Sequence, residues 1–284
     1  MTSTQRIVFI DVDGTILEHG AHVEQSSVTA IDTARRNGHL VFLCTGRSRG
    51  DLHPDVAAID VDGAITNGGV TAEMGRSTIV SRPMPPASVE RIVGVFRERG
   101  IEYFLQTDDA VYATEGMRDL IRQYARASAA REESGPEDAL AGPAHRNYPD
   151  VADAPADRIG KAVFVGLATD DLEVVTRELG ESFHVVPGSI PMPGGSNGEI
   201  CVRGTDKGSA ITRVLDHLGL DPTDAIGIGD SWNDVEMFQV CGTAVAMGNA
   251  HAELKDLADR VTTDVGDDGV WNAFRDLGLL DPVG

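Results

Sequence analysis

Cysteine is scarce in this chain: three residues among 284, Cys44, Cys201 and Cys241, with no CxxC spacing. That excludes a disulfide framework and a thiolate zinc site, and suits a reducing cytoplasm. The eight histidines include no HExxH pair, which removes the commonest zinc-hydrolase pattern. Lysine is equally rare, at Lys161, Lys207 and Lys255 only. With 24 basic residues against 45 acidic ones the formal net charge is −21, so the protein repels nucleic-acid phosphates and anionic membranes, and no basic patch interrupts the pattern. No apolar stretch approaches the roughly 20 residues that span a bilayer. The first apolar run, Ile7 to Ile10, is too short for the core of a secretion signal. The same acidity would repel a phosphorylated ligand, so a phosphate site must bring its own positive charge, from a metal or a placed cation.

What is present is the composition of a folded globular protein, 41% hydrophobic and 24% charged, at a length that suits one large domain or two smaller ones. The run Ile7–Ile10 breaks off at Asp11 and reads as a buried strand entering a turn. A helix follows from about Gln25 to Asn37, closed by Gly38, and then a strand from Leu40 to Cys44. After Gly204 the alternation resumes: helix Ser209 to Leu218, strand Ala225 to Gly229, a helix around Val235, strand Thr243 to Met247. Alternating strands and helices predict an α/β fold, a doubly wound, Rossmann-like parallel sheet with helices on both faces.

Between them the rhythm changes. Helix Val89 to Arg99, strands Tyr103 to Thr107 and Ala110 to Ala113, helix Gly116 to Ala127, strand Ala162 to Leu167 and helix Leu172 to Leu179 predict an inserted α+β domain. The expected division is 1–81 and 198–284 for the core and 82–197 for the insertion. Turn-rich segments border it, Arg82 to Pro86 and Pro187 to Asn197, which suit hinges. Within it, Ala127 to Asp157 has little periodicity and reads as a long loop.

Two carboxylate pairs stand at predicted strand ends. Asp11 and Asp13 lie in Asp11-Val-Asp-Gly-Thr15, where Gly14 permits a sharp turn and Thr15 can bond nearby backbone. Asp230 and Asp234 lie in Gly229-Asp-Ser-Trp-Asn-Asp234, at a spacing that brings both carboxylates to one side of a helical turn. Alone, the first is also an ordinary Asp-Gly turn and the second an ordinary helix cap. Together, at the carboxyl ends of strands in one parallel sheet, they sit where open α/β sheets bind ligands. Converging carboxylates need a metal or a lysine to stay ionised, and hard oxygen ligands select Mg²⁺. Lys207, opening a predicted helix in Gly204-Thr-Asp-Lys-Gly-Ser209, is the candidate cation. Thr45, ending the second strand in Thr45-Gly46-Arg47, can offer a hydroxyl and a backbone N–H to a phosphoryl oxygen. A near copy of the first motif, Ile59 to Ile65, holds a rival pair, Asp60 and Asp62. It follows a weak apolar run and has Ala64 in place of the threonine, so it reads as a turn. Trp232 and Trp271 read as packing residues.

The ordered set DVDGT, CTGR, DKG and GDSWND resembles the haloacid dehalogenase superfamily, and within it the Cof-type (subfamily IIB) phosphatases. The resemblance spans roughly Ile7 to Met247, and it implies that the insertion is a cap domain that chooses the substrate. It further implies that Asp11 is the nucleophile and Asp13 the general acid and base. Mg²⁺ would be held by Asp11, the Asp13 carbonyl and Asp230, with Asp234 as a further ligand or a support behind the ligands. Lys207, Thr45, Gly46, Arg47 and Asn233 would bind the phosphoryl group, and Asn67 would lie near the substrate entrance. The expected activity is Mg²⁺-dependent hydrolysis of a small phosphorylated metabolite, a sugar phosphate or a phosphorylated cofactor, through a phosphoaspartyl intermediate. A phosphomutase shares these motifs, and a non-catalytic phosphometabolite sensor could use the same fold and cap, although retention of all four motif centres argues against it. Neither the substrate nor the oligomeric state is legible.

Overall fold

Strand Ile7–Ile10 is buried at every residue, as a strand covered on both faces must be. The computed structural model describes residues 4–18, 22–129, 148–188 and 196–281, and it places this strand inside an eight-stranded sheet. The order runs Arg260–Val261, Thr243–Ala246, Ala225–Gly229, Ile7–Ile10, Leu40–Cys44, Gly63–Thr66, Thr71–Met74, Ser77–Ser81. The first six strands are parallel and the last two antiparallel.

Period-two alternation splits the central strand between two cores. Val8 and Ile10 join Ala30, Ile31 and Ala34 of helix Gln25–Arg36 and Val270, Ala273 and Phe274 of helix Gly269–Asp276. Ile7 and Phe9 join Ile211, Val214 and Leu215 of helix Lys207–Leu218 and Met237 and Phe238 of helix Val235–Val240. The strands expected at 7–10, 40–44 and 225–229 match residue for residue. The three strands Gly63–Thr66, Thr71–Met74 and Ser77–Ser81 go beyond the expected elements, because each is only four or five residues long and none carries an apolar run of more than two residues. The turn between the first two of them is built on three consecutive positive-φ residues, Asn67 (51°), Gly68 (65°) and Gly69 (105°).

The chain divides into two units. The first comprises residues up to Arg47, Leu52–Ser81 and Asp206 onwards; the second comprises Ser48–Asp51 and Arg82–Thr205. The second unit is built on a five-stranded antiparallel sheet, in the order Phe183–Pro187, Ser196–Val202, Lys161–Gly166, Glu102–Gln106, Val111–Ala113. Ile92 and Phe96 of helix Pro86–Arg99 and Val175 and Leu179 of helix Asp171–Leu179 pack on Phe164 and Ile200 of that sheet. Strand Ser196–Val202, which the expected boundary at 198 would cut, lies wholly in this unit because it hydrogen-bonds to a strand on each side. Residues 130–147 of the expected loop and 189–195 of the expected second hinge lie outside the described residues.

Candidate active site

The site is assembled at the carboxyl ends of adjacent parallel strands in the first unit. Asp11 continues strand Ile7–Ile10, its N–H donating to the Ile228 carbonyl at 2.9 Å. Thr45 continues the neighbouring strand, its N–H donating to the Ile65 carbonyl at 2.9 Å. The N–H groups of Thr15, Ile16 and Leu17 all donate to the Val12 carbonyl, so the loop after Asp11 is tightly wound. Gly14 is required there twice over: its φ is +79°, and a Cβ would lie 2.2 Å from Asp230 Oδ2.

Lys207 is the centre of the arrangement. Asp206 caps helix Lys207–Leu218 by accepting the Ser209 N–H at 2.7 Å, and Ser209 reciprocates toward the Asp206 backbone. This box fixes the first turn and directs the Lys207 side chain inward. The ammonium donates to Asp11 Oδ1 at 2.6 Å, to Asp234 Oδ1 at 2.6 Å and to Asn233 Oδ1 at 3.1 Å. Lys207 is 2% exposed, Asp11 3% and Asp234 0%, so these charges are held away from water. The other oxygen of Asp234 accepts the N–H groups of Asp230 and Ser231 at 3.0 and 3.1 Å. Both Asp234 oxygens are therefore engaged, and the residue braces the Gly229–Asp234 turn while compensating Lys207.

The electrostatics follow from crowding and burial. Burial raises the Asp11 carboxyl well above its usual range, against the pull of Lys207, and Asp234, Asp230 and Asp13 push it further. Burial, then Asp234, pushes Asp230 up to about 7. Burial alone would depress Lys207, but Asp11 and Asp234 outweigh it and raise the ammonium, which stays charged. Three carboxylates and one ammonium leave a local negative excess that a cation would relieve. Asp11, Asp230 and Asp234 each present an oxygen within 4.8 Å of the others. An all-oxygen donor set of this kind suits a hard divalent ion.

Arg47 forms a fork on Asp13, with Nε on Oδ2 at 2.7 Å and Nη2 on Oδ1 at 2.6 Å. Arg47, expected among the phosphate ligands, here pairs its guanidinium with the Asp13 carboxylate. Thr45 Oγ1 accepts the Arg47 N–H at 3.1 Å, which leaves the hydroxyl proton for another acceptor. Asn67 is buried, its N–H on the Arg47 carbonyl at 2.8 Å, and the Gly68 N–H reaches the Thr45 carbonyl at 3.0 Å. The turns containing Thr45, Gly46 and Arg47 and containing Asn67 are thus stitched together beside Asp13.

The rival pair Asp60 and Asp62 is elsewhere and engaged structurally. Arg35 Nε and Nη2 hold the two Asp62 oxygens at 3.1 Å each, the Val41 N–H donates to Asp62 at 2.8 Å, and Arg35 also pairs with Asp60. Trp232 corrects the packing expectation, being 57% exposed, whereas Trp271 does pack on the core. Burial pushes the Cys44 thiol up and Cys241 up to about 12, so neither supplies a thiolate. Sequence reasoning missed Asn249, whose side chain donates to the Gly14 carbonyl at 2.8 Å. Its only signal was an Asn in a turn after a strand end.

A family model described as haloacid dehalogenase-like hydrolase matches residues 8–274. The Bacillus subtilis protein YkrA is 27% identical over 281 residues, covering 97% of this chain and 98% of its own. The pyridoxal phosphate phosphatase YbhA of Escherichia coli is 25% identical over 266 residues, covering 92% and 94%. A solved subclass IIB sugar phosphatase of the superfamily superposes with a TM-score of 0.78 at 20% identity, over 97% of this chain and all of that one, a likeness of fold.

Proposed function

From the premise that this chain belongs to the haloacid dehalogenase-like hydrolases and is a phosphatase, we propose that it hydrolyses a small phosphorylated metabolite through a phosphoaspartyl intermediate on Asp11, with Mg²⁺ as cofactor. The observation that carries this reading is the buried bridge from Lys207 to Asp11 and Asp234 beside Asp230. A buried lysine holds the nucleophilic carboxylate in one rotamer and supplies the positive charge that the net charge of −21 denies elsewhere.

In the first half-reaction, an Asp11 oxygen forms the new bond to phosphorus while the bond to the leaving oxygen breaks. Asp13 gives its proton to that oxygen and becomes a carboxylate. In the second, Asp13 takes a proton from water, whose oxygen attacks the phosphorus, and the Asp11–phosphorus bond breaks to release phosphate and restore the enzyme. Lys207 and the Thr45 hydroxyl stabilise charge on the phosphoryl oxygens, and the strand ends hold Asp11 in line with the breaking bond. The Arg47 fork holds Asp13 in position between its two duties.

Asp11, the Asp13 backbone carbonyl and Asp230 would hold the cation, with Asp234 behind them as the brace its occupied oxygens make it. When bound, Mg²⁺ supplies positive charge to the phosphoryl oxygens and keeps Asp11 and Asp230 ionised. We assign choice of leaving group to the unit Arg82–Thr205, and the naming of one relative for pyridoxal phosphate supports a metabolite-sized substrate. The test is phosphate release from p-nitrophenyl phosphate with Mg²⁺ or with EDTA, for the native protein and Asp11→Asn. Turnover is expected only for the native protein with Mg²⁺. Undiminished turnover by Asp11→Asn would sink the assignment of the nucleophile.

A further inference from the structure

One contact to the catalytic loop comes from a segment outside the four motifs. Strand Thr243–Ala246 runs beside Ala225–Gly229, and the pairing continues past its end, with the Met247 N–H on the Gly229 carbonyl at 2.9 Å. The chain then turns through Gly248, whose N–H donates to the Thr263 carbonyl at 3.0 Å and whose carbonyl accepts the Lys255 ammonium. This turn presents the Asn249 amide. Nδ2 donates to the Gly14 carbonyl at 2.8 Å, and Oδ1 accepts the Val265 N–H at 3.0 Å.

Gly14 is therefore gripped from two directions. Its Cα hydrogen side abuts the Asp230 carboxylate, where a Cβ would come within 2.2 Å of Oδ2, and its carbonyl is tied by Asn249. The same short loop carries Asp11 and Asp13. We propose that Asn249 is a positioning residue: it fixes the Gly14 peptide and so sets the placement of the Asp11–Asp13 loop against Asp230. Both amide functions are needed, one to grip the loop and one to anchor the grip on the turn at Val265. The hydrogen bond is exposed and joins neutral groups, so it adds little to global stability. Placement of reacting groups is far more sensitive, since displacements of about 1 Å cost about a hundredfold in rate.

This inference rests on the reading of Asp11, Asp13 and Asp230 given above, and the experiment separates the two. Asn249→Asp keeps the acceptor for Val265 but loses the donor to Gly14; Asn249→Ala loses both. With p-nitrophenyl phosphate and Mg²⁺, both variants are expected to lose about ten- to a hundredfold in kcat, with KM within about twofold and, for Asn249→Asp, which keeps the Val265 acceptor, the unfolding midpoint within a couple of degrees of native. Affinity of Asn249→Ala for Mn²⁺ alone, read from the paramagnetic resonance of the free ion, is expected to weaken several-fold. Native kcat in Asn249→Asp would reduce Asn249 to a tether of the Val265 turn and overturn the proposal. So would undiminished Mn²⁺ affinity in Asn249→Ala, or a loss of kcat matched by a collapse of the midpoint. A native enzyme whose turnover did not depend on Asp11 would instead defeat the functional reading itself.

Discussion

Replacing Lys207 by methionine removes the ammonium from a buried cluster while conserving most of the side-chain volume. Its ammonium makes three hydrogen bonds, two of them to carboxylates at 2.6 Å that are nearly or wholly inaccessible. Breaking a buried ion pair by deleting one partner costs about 3–5 kcal/mol, because the surviving charge is left without compensation. For a protein of this size each kcal/mol is worth roughly 2–4 °C in the unfolding midpoint, so Lys207→Met in EDTA should melt roughly 6–20 °C below native. Two additions make the electrostatic cause visible in calorimetry. Mg²⁺ should recover more of the midpoint in the variant than in native protein, since it supplies charge the variant lacks. The double variant Lys207→Met, Asp234→Asn should melt above the single one, because one stranded carboxylate has been neutralised, while remaining inactive. If Lys207→Met melted within about 2 °C of native in EDTA, a deficit of roughly 1 kcal/mol or less, the lysine would not be the counter-charge of this cluster.

Removing the rival carboxylate should cost stability while leaving turnover in place. Asp62→Ala deletes the acceptor of the Arg35 fork and of the Val41 N–H, which should cost roughly 1–3 kcal/mol in denaturant unfolding. Its turnover of p-nitrophenyl phosphate should stay within about twofold of native; loss of activity in a folded variant would return Asp62 to candidacy. The raised Asp230 carboxyl gives a pH test. Its folded value is about 7 against an ordinary 3.8, so between those values the folded state binds more protons than the unfolded one. The stabilisation from this group is therefore present at low pH and is lost as pH rises through about 7. Mg²⁺ competes with that proton, so the rise in midpoint on adding Mg²⁺ to EDTA-treated protein should be larger at pH 8 than at pH 5. Equal rises would show that Asp230 does not couple protons to the cation.

Much of the fold was legible because parallel strands covered on both faces must be continuous apolar runs. Ile7–Ile10, Leu40–Cys44 and Ala225–Gly229 declare themselves in that way and break off where chemistry begins. The sheet edge Gly63–Ser81, one parallel strand followed by an antiparallel hairpin, was not legible, since its short strands are specified by turn geometry, here the left-handed run at Asn67, Gly68 and Gly69, more than by hydrophobicity. Strand Ser196–Val202 was hidden for a similar reason: its place between two antiparallel neighbours is a long-range pairing.

The candidate site divides along the same line. Residue type and position after a strand end were enough to nominate Asp11, Asp13, Asp230 and Asp234, because few other arrangements concentrate carboxylates at the ends of buried strands, and Lys207, opening a helix, was nominated as the cation such a cluster needs. Which atoms meet was decided only by folding. Residues 196 apart in the chain come within 2.6 Å in the Lys207–Asp11 pair. Tertiary structure gives one Asp234 oxygen to Lys207 and the other to the Gly229–Asp234 turn, turns Arg47 onto Asp13 and ties Asp62 to Arg35. It also brings Asn249, ordinary in its local sequence, onto Gly14. The sequence by itself determined the chemistry of the groups and the strand ends that carry them. Their pairing, burial and charge balance were left to contacts between distant segments, which no local pattern encodes.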